Sequence, residues 1–88
     1  DLMKITPLQY LLLNKNKPQK AILQAVGVKR IRLWQWKRGL GFPKRLNVEK
    51  LIAFYGPEQL DYNGCFVASV EITAEQARLY GLLNDVAN

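Results

Sequence analysis

Apolar and polar positions along this chain follow a helical period for the first 56 residues and then switch to an alternating one. Leu8, Leu11 and Leu12 share a helical face behind Thr6-Pro7-Leu8-Gln9, a capping box: the Thr hydroxyl accepts an N3 amide proton and Gln9 reaches back. Pro7 falls at N1, where its missing N–H costs nothing. The pattern predicts a first helix over 7–13, ended by the polar run Asn14-Lys15-Asn16-Lys17. Pro18 opens a second helix at N1, with Ile22, Leu23 and Val26 as its buried stripe. Gly27 then supplies the positive φ needed to leave one helix and enter the next steeply, and Val28 fills the corner. A third helix is predicted over 29–38, with Gly39 as its stop and Leu40-Gly41-Phe42-Pro43 as a loop. A fourth, over 47–55, carries Val48, Leu51, Ile52 and Tyr55 and ends at Gly56-Pro57. Lys4 and Ile5 read as a short extended segment, and Met3 as a natural start preceded by Asp1 and Leu2.

After a turn at Asn63-Gly64 the period changes. Phe66, Ala68, Val70 and Ile72 alternate with Val67, Ser69 and Glu71, which predicts a strand over 66–72. A lone strand leaves its backbone groups unpaired. Its partner is the extended N-terminus, a run near Tyr62, or the same strand of a second subunit. Thr73-Ala74-Glu75-Gln76 is a second capping box, opening a last helix expected to reach about Val86. That helix offers Ala77, Tyr80, Leu83 and Ala87 on one face, with Leu79, Leu82 and Val86 beside them. Gly81 weakens it by ~1 kcal/mol relative to Ala. The fold class is therefore mainly α: a four-helix core with a C-terminal β-strand and helix extension. Residues 1–88 form one domain, divided into a core over 4–56 and an extension over 57–88.

Composition narrows the chemistry. The 88 residues suffice for one modest core, and 49% hydrophobic content argues against disorder. No apolar run approaches the ~20 residues that span a bilayer, and no signal segment is evident. Cys65 is the single cysteine and histidine is absent, which removes an internal disulfide, His-based catalysis and zinc clusters. The expectation is a cytoplasmic chain without cofactor, metal, membrane partner or evident small-molecule ligand, with Cys65 as a small strand residue. Twelve of the 13 Lys and Arg residues fall between Lys4 and Lys50, with Glu49 as the single acid, so this stretch carries +11. Beyond it one base, Arg78, faces five acids and leaves −4. The asymmetry points to nucleic acid for the first half and a different task for the second.

The basic residues concentrate on the predicted third helix and around it. Two short helices with a Gly in the turn and a basic second helix suit a DNA-binding helix-turn-helix. Leu33 and Trp36 take the inner side of that helix. The outer side presents Arg30, Ile31, Trp34, Gln35 and Arg38 as base contacts. Arg reads guanine O6 and N7, Gln reads adenine N6 and N7, and Ile31 suits a thymine methyl. Trp34 is divided between the groove and core or loop packing, since its phase is outward but tryptophan is costly to expose. Lys20, Lys29, Lys37, Lys44 and Arg45 are the phosphate contacts, which position a protein without specifying sequence.

The run Leu33-Trp34-Gln35-Trp36-Lys37-Arg38-Gly39 resembles the end of the recognition helix in Cro-type phage repressors and the related YdaS group. There an apolar residue, two polar ones, a Trp and a closing Gly recur in this order. Phe42-Pro43-Lys44-Arg45-Leu46 through Tyr55-Gly56 is similar to their loop and following helix, and Lys4-Ile5-Thr6 with the first two helices is similar to the small Cro proteins. The resemblance covers about residues 4–56. Leu23 stands where that family usually has Ala, and Trp34 where it is usually small or polar. The resemblance implies a Cro/lambda-repressor-like fold and a transcriptional repressor of a phage or mobile element. Such a protein works as a two-fold dimer on an inverted-repeat operator of double-stranded DNA. The acidic half is the expected dimerisation element, through Phe66, Val67, Val70, Ile72, Tyr80 and Leu83. Two rival classes remain: a protein-binding adaptor or antitoxin, and a DNA-bending excision cofactor. An enzyme is disfavoured, because no metal-ligand cluster, Gly-rich phosphate loop or close carboxylate pair is present.

Overall fold

The computed structural model describes residues 2–83. Among them the chain is mainly helical with a small two-stranded sheet. The order is β1 (Leu2–Ile5), α1 (Pro7–Leu13), α2 (Gln19–Val26), α3 (Arg30–Arg38), α4 (Arg45–Tyr55), a 3-10 turn (Asn63–Cys65), β2 (Val70–Thr73) and α5 (Ala74–Leu79).

The helix ends follow local chemistry. Thr6 Oγ1 accepts the Gln9 N–H at 3.0 Å while Gln9 Oε1 accepts the Thr6 N–H at 3.0 Å, so α1 starts on a complete capping box. Such a cap stabilises by about 1 kcal/mol. The same box recurs at Thr73 and Gln76 on α5. Gly27 takes φ 78° and ψ 34°, and its N–H donates to Leu23 O at 2.8 Å, closing α2 and turning the chain into α3 within three residues. Gly39 closes α3 in the same left-handed way. Three starts differ from expectation by a residue or two. Pro18 is the N-cap of α2 and Lys29 that of α3 rather than their first residues, and α4 begins at Arg45, before Asn47.

The four helices of the first half and the 3-10 turn share one core, in which Leu8, Leu12, Ile22, Val26, Leu33 and Trp36 meet Val48 and Leu51. Leu60 and Cys65 close it from the second half, so the chain past α4 returns to cover α1. Cys65 lies in the 3-10 turn, not in a strand, and burial pushes its thiol up to about 11, with Asp61 adding to the effect. Two polar atoms in this core, Trp36 Nε1 and the Tyr55 hydroxyl, have no hydrogen-bond partner among the described residues.

A second, smaller cluster of Ile5, Ile72 and Ala77 seats the sheet and α5 on the end of α1, with Met3, Leu13, Val70, Tyr80 and Leu82 packed around it. Of the three expected partners for the strand, the N-terminus is the one used: β1 and β2 are antiparallel, with Met3 opposite Ile72 and Ile5 opposite Val70. The strand is shorter than the alternation predicts. The chain turns into the cap of α1 at Thr6, so pairing stops at Ile5 opposite Val70, with one further bond from Ser69 N–H to Ile5 O. Phe66 and Val67 fall outside it. The last helix is also shorter: Gly81 at φ 77° ends it, and Leu82 N–H returns to Ala77 O at 2.8 Å. The expected continuation to Val86 and Ala87 lies outside the described residues.

Candidate nucleic-acid interface

Helix α3 has one face fixed and one face turned out. Leu33 and Trp36 are buried to 1% and 2% exposure and hold the helix on the core. Two contacts trim its far end: Gln9 Nε2 donates to Lys37 O at 3.2 Å, and Lys37 Nζ donates to Gln19 Oε1 at 3.0 Å. Gln9 thus serves the start of α1 and the end of α3 with one side chain. At the other end of the pair, Lys50 Nζ reaches Val26 O at 3.5 Å, placing a cation at the C-terminus of α2, where the helix dipole favours it.

The opposite face carries Arg30, Ile31, Arg32, Trp34 and Arg38 in solvent, with Gln35 partly buried beside them. Arg30, Trp34 and Arg38 follow one another at i, i+4 and form a continuous strip. Trp34 is 48% exposed and Ile31 58%, so neither side chain is taken up by the core. Arg38 lies 5.3 Å over the Trp34 ring, and its Nη1 donates to Gly81 O at 2.7 Å. This arginine therefore ties the segment after α5 to the end of α3, a partner that its sequence position gives no hint of.

The five expected phosphate contacts lie on α2, on α3 and at the start of α4. Lys20 sits in the first turn of α2, Lys29 caps α3 and Lys44 caps α4, all exposed. Arg45 pairs with Glu49 at 3.6 Å, an exposed i,i+4 pair that contributes about 0–1 kcal/mol. Lys37 differs from the others. It is partly buried, and desolvation followed by the nearby Lys15 charge pulls its ammonium below the ordinary lysine value.

The six residues expected in dimerisation separate into two places. Val70, Ile72 and Tyr80 belong to the cluster that seats the sheet, and Ile72 at 1% exposure is consumed within the chain. Phe66 turns instead toward Phe42 and Tyr62, with ring centroids 5.6 and 5.2 Å away. Val67 and Leu83 are exposed. Three basic residues that the sequence pattern assigns to no contact also lie here: Arg32 on the outer face of α3, and Lys15 and Lys17 between α1 and α2, where the polar run predicts a helix stop.

Among the described residues no group of His, Cys, Asp or Glu could hold a metal ion, and no helix is long and apolar enough to cross a membrane. No family model, curated protein or solved structure matches this chain.

Proposed function

We propose that this chain is a sequence-specific double-stranded DNA-binding protein of the helix-turn-helix kind, a transcriptional regulator that lays α3 in the major groove. One observation carries the reading. A helix of nine residues is locked to the core by Leu33 and Trp36 while its other face presents Arg30, Ile31, Arg32, Trp34 and Arg38 to solvent. With its side chains a helix is about 10–12 Å across, which fits a major groove about 12 Å wide, and nine residues at 1.5 Å each extend about 13 Å along it. A rigid helix matters because base readout needs donor positions fixed relative to the duplex. Arg30 and Gln35 read base edges, while Lys20, Lys29, Lys44 and Arg45 hold phosphates on either side. With so short a helix only a few base pairs are read, so two copies on inverted half-sites supply the remaining specificity.

Selection of bound duplexes from a random DNA pool tests this reading. Enrichment of an inverted repeat with half-sites about one helical turn apart is the expected result. A pool retained without enrichment, or no retained DNA, rejects it. Within an enriched site, Arg30→Ala and Gln35→Ala each relax discrimination at one base position by ~1–3 kcal/mol, and equal weakening on all duplexes reassigns them to phosphates.

The exposed pair Ile31 and Trp34 favours a second reading, in which the protein bends DNA. An apolar wedge between base steps unstacks and kinks a duplex. Fluorescence transfer between the ends of a bound duplex separates the two: a large shortening with wild type that Trp34→Ala abolishes supports the wedge.

A further inference from the structure

We infer that Lys15, Lys17 and Lys37 form a seat for a phosphate group, in the cleft where the α1–α2 connection meets the end of α3. The cleft has a volume of about 420 Å³, with Leu12 and Ile22 in its lining beside the three lysines and Gln19. No residue lining it is acidic. Three lysines therefore border one concavity without a carboxylate among them, and the Lys15 charge bears on Lys37, a repulsion that an anion relieves.

Each lysine has its own local setting. Lys15 occupies the left-handed region at φ 59°, the one non-glycine residue to do so among those described. That conformation costs about 1 kcal/mol for an ordinary side chain. Lys17 Nζ stands 5.4 Å from the centre of the Phe54 ring, which steadies the cation without neutralising it. Lys37 Nζ donates to Gln19 Oε1 at 3.0 Å, a neutral acceptor that orients the ammonium and leaves its charge intact. The Gln19 amide NH₂ adds a further donor to the lining. Burial first, and the Lys15 charge second, hold the Lys37 ammonium below its ordinary value, and a bound phosphate offsets the Lys15 repulsion.

The requirement is for a compact group with several acceptor oxygens and at least one negative charge. A backbone phosphate of DNA and the phosphate of a small soluble ligand both meet it. The first source rests on the DNA-binding reading above; the second does not.

The test uses inorganic pyrophosphate as probe, followed by amide and lysine side-chain NMR at constant ionic strength, together with the salt dependence of duplex binding. The variants are Lys37→Gln and the pair Lys15→Asn with Lys17→Gln; asparagine keeps the left-handed residue comfortable. Lys4→Gln, on β1 away from the cleft, is the control. Pyrophosphate is expected to shift Lys15, Lys17, Gln19 and Lys37 together, and each cleft variant to weaken it about tenfold. If the source is DNA, the cleft variants also flatten the slope of log affinity against log salt by about 0.9, the share of one phosphate, while Lys4→Gln does not. A pyrophosphate response with no duplex binding keeps the seat and assigns it to a free phosphate ligand, while the DNA reading fails. Pyrophosphate shifts spread evenly over all lysines, with salt slopes no flatter than the control's, overturn the seat even where duplex binding persists.

Discussion

The two halves of this molecule are built on opposite terms. The first half closes a core with side chains that arrive at helical spacing from four nearby segments, and Val48 and Leu51 in it are entirely buried. The second half owns almost no core. Its sheet and short helix rest on three buried residues, one of which, Ile5, comes from the opposite end of the chain. The difference teaches where stability and surface are separable. The basic half can expose a whole face of α3 because Leu33 and Trp36 already secure the helix, whereas the acidic half must spend Ile72 on staying attached.

Substitutions that probe the two tryptophans of α3 break this comparison most sharply. Trp36→Ala removes a fully buried indole and costs about 3–5 kcal/mol, enough to unfold a domain of this size, as thermal melting will record. Trp34→Ala, two positions away and half exposed, is expected to shift the melting point little while weakening duplex binding. Equal destabilisation by both would erase the distinction between a fixed and a presented face. The next effect belongs to the extension. Ile72→Ala empties the centre of the smaller cluster at about 2–4 kcal/mol, and hydrogen exchange should then accelerate first in β1, β2 and α5 while α3 and α4 stay protected. Uniform acceleration would mean that the two clusters unfold as one.

Alkaline pH sharpens the comparison inside the larger core. Burial raises the Cys65 thiol to about 11 and the Tyr55 hydroxyl to about 12. The unfolded chain releases these protons from their ordinary values of 9.0 and 10.0, while the folded chain keeps them. Stability is therefore full below pH 9 and declines as pH rises through the folded values, by about 1.4 kcal/mol per pH unit for each proton that differs. Lys37 acts with the opposite sign but is only partly buried, so its share is smaller. Urea midpoints measured from pH 7 to 11 follow this decline, and a flat profile contradicts it. The smallest expected effect is a gain. Tyr55→Phe deletes a buried hydroxyl without a partner among the described residues and should stabilise by about 1 kcal/mol, as well as removing the upper part of the alkaline decline.

Much of the candidate site could be read along the chain. Gly27 between two helices, Trp36 inward, Arg30, Ile31 and Arg38 outward, and Lys29 at a helix start all follow from local period and capping. These are short-range properties, decided by residues three or four apart. The same locality explains what was misread. Alternation over 66–72 is a preference that needs a partner backbone, and β1 offers only Leu2–Ile5, so Phe66 packs against Phe42 and Tyr62 instead.

The sequence alone determined where most helices start and stop, which face of each is apolar, and that positive charge gathers before residue 51. Tertiary structure alone decided that β2 pairs with β1, that Arg38 reaches Gly81 across 43 positions, and that Lys15, Lys17 and Lys37 share one cleft. The reason is physical. Caps, turns and helical faces are set by torsions and hydrogen bonds within one turn of chain, whereas a pairing or a cluster depends on which distant surfaces meet when apolar area is buried.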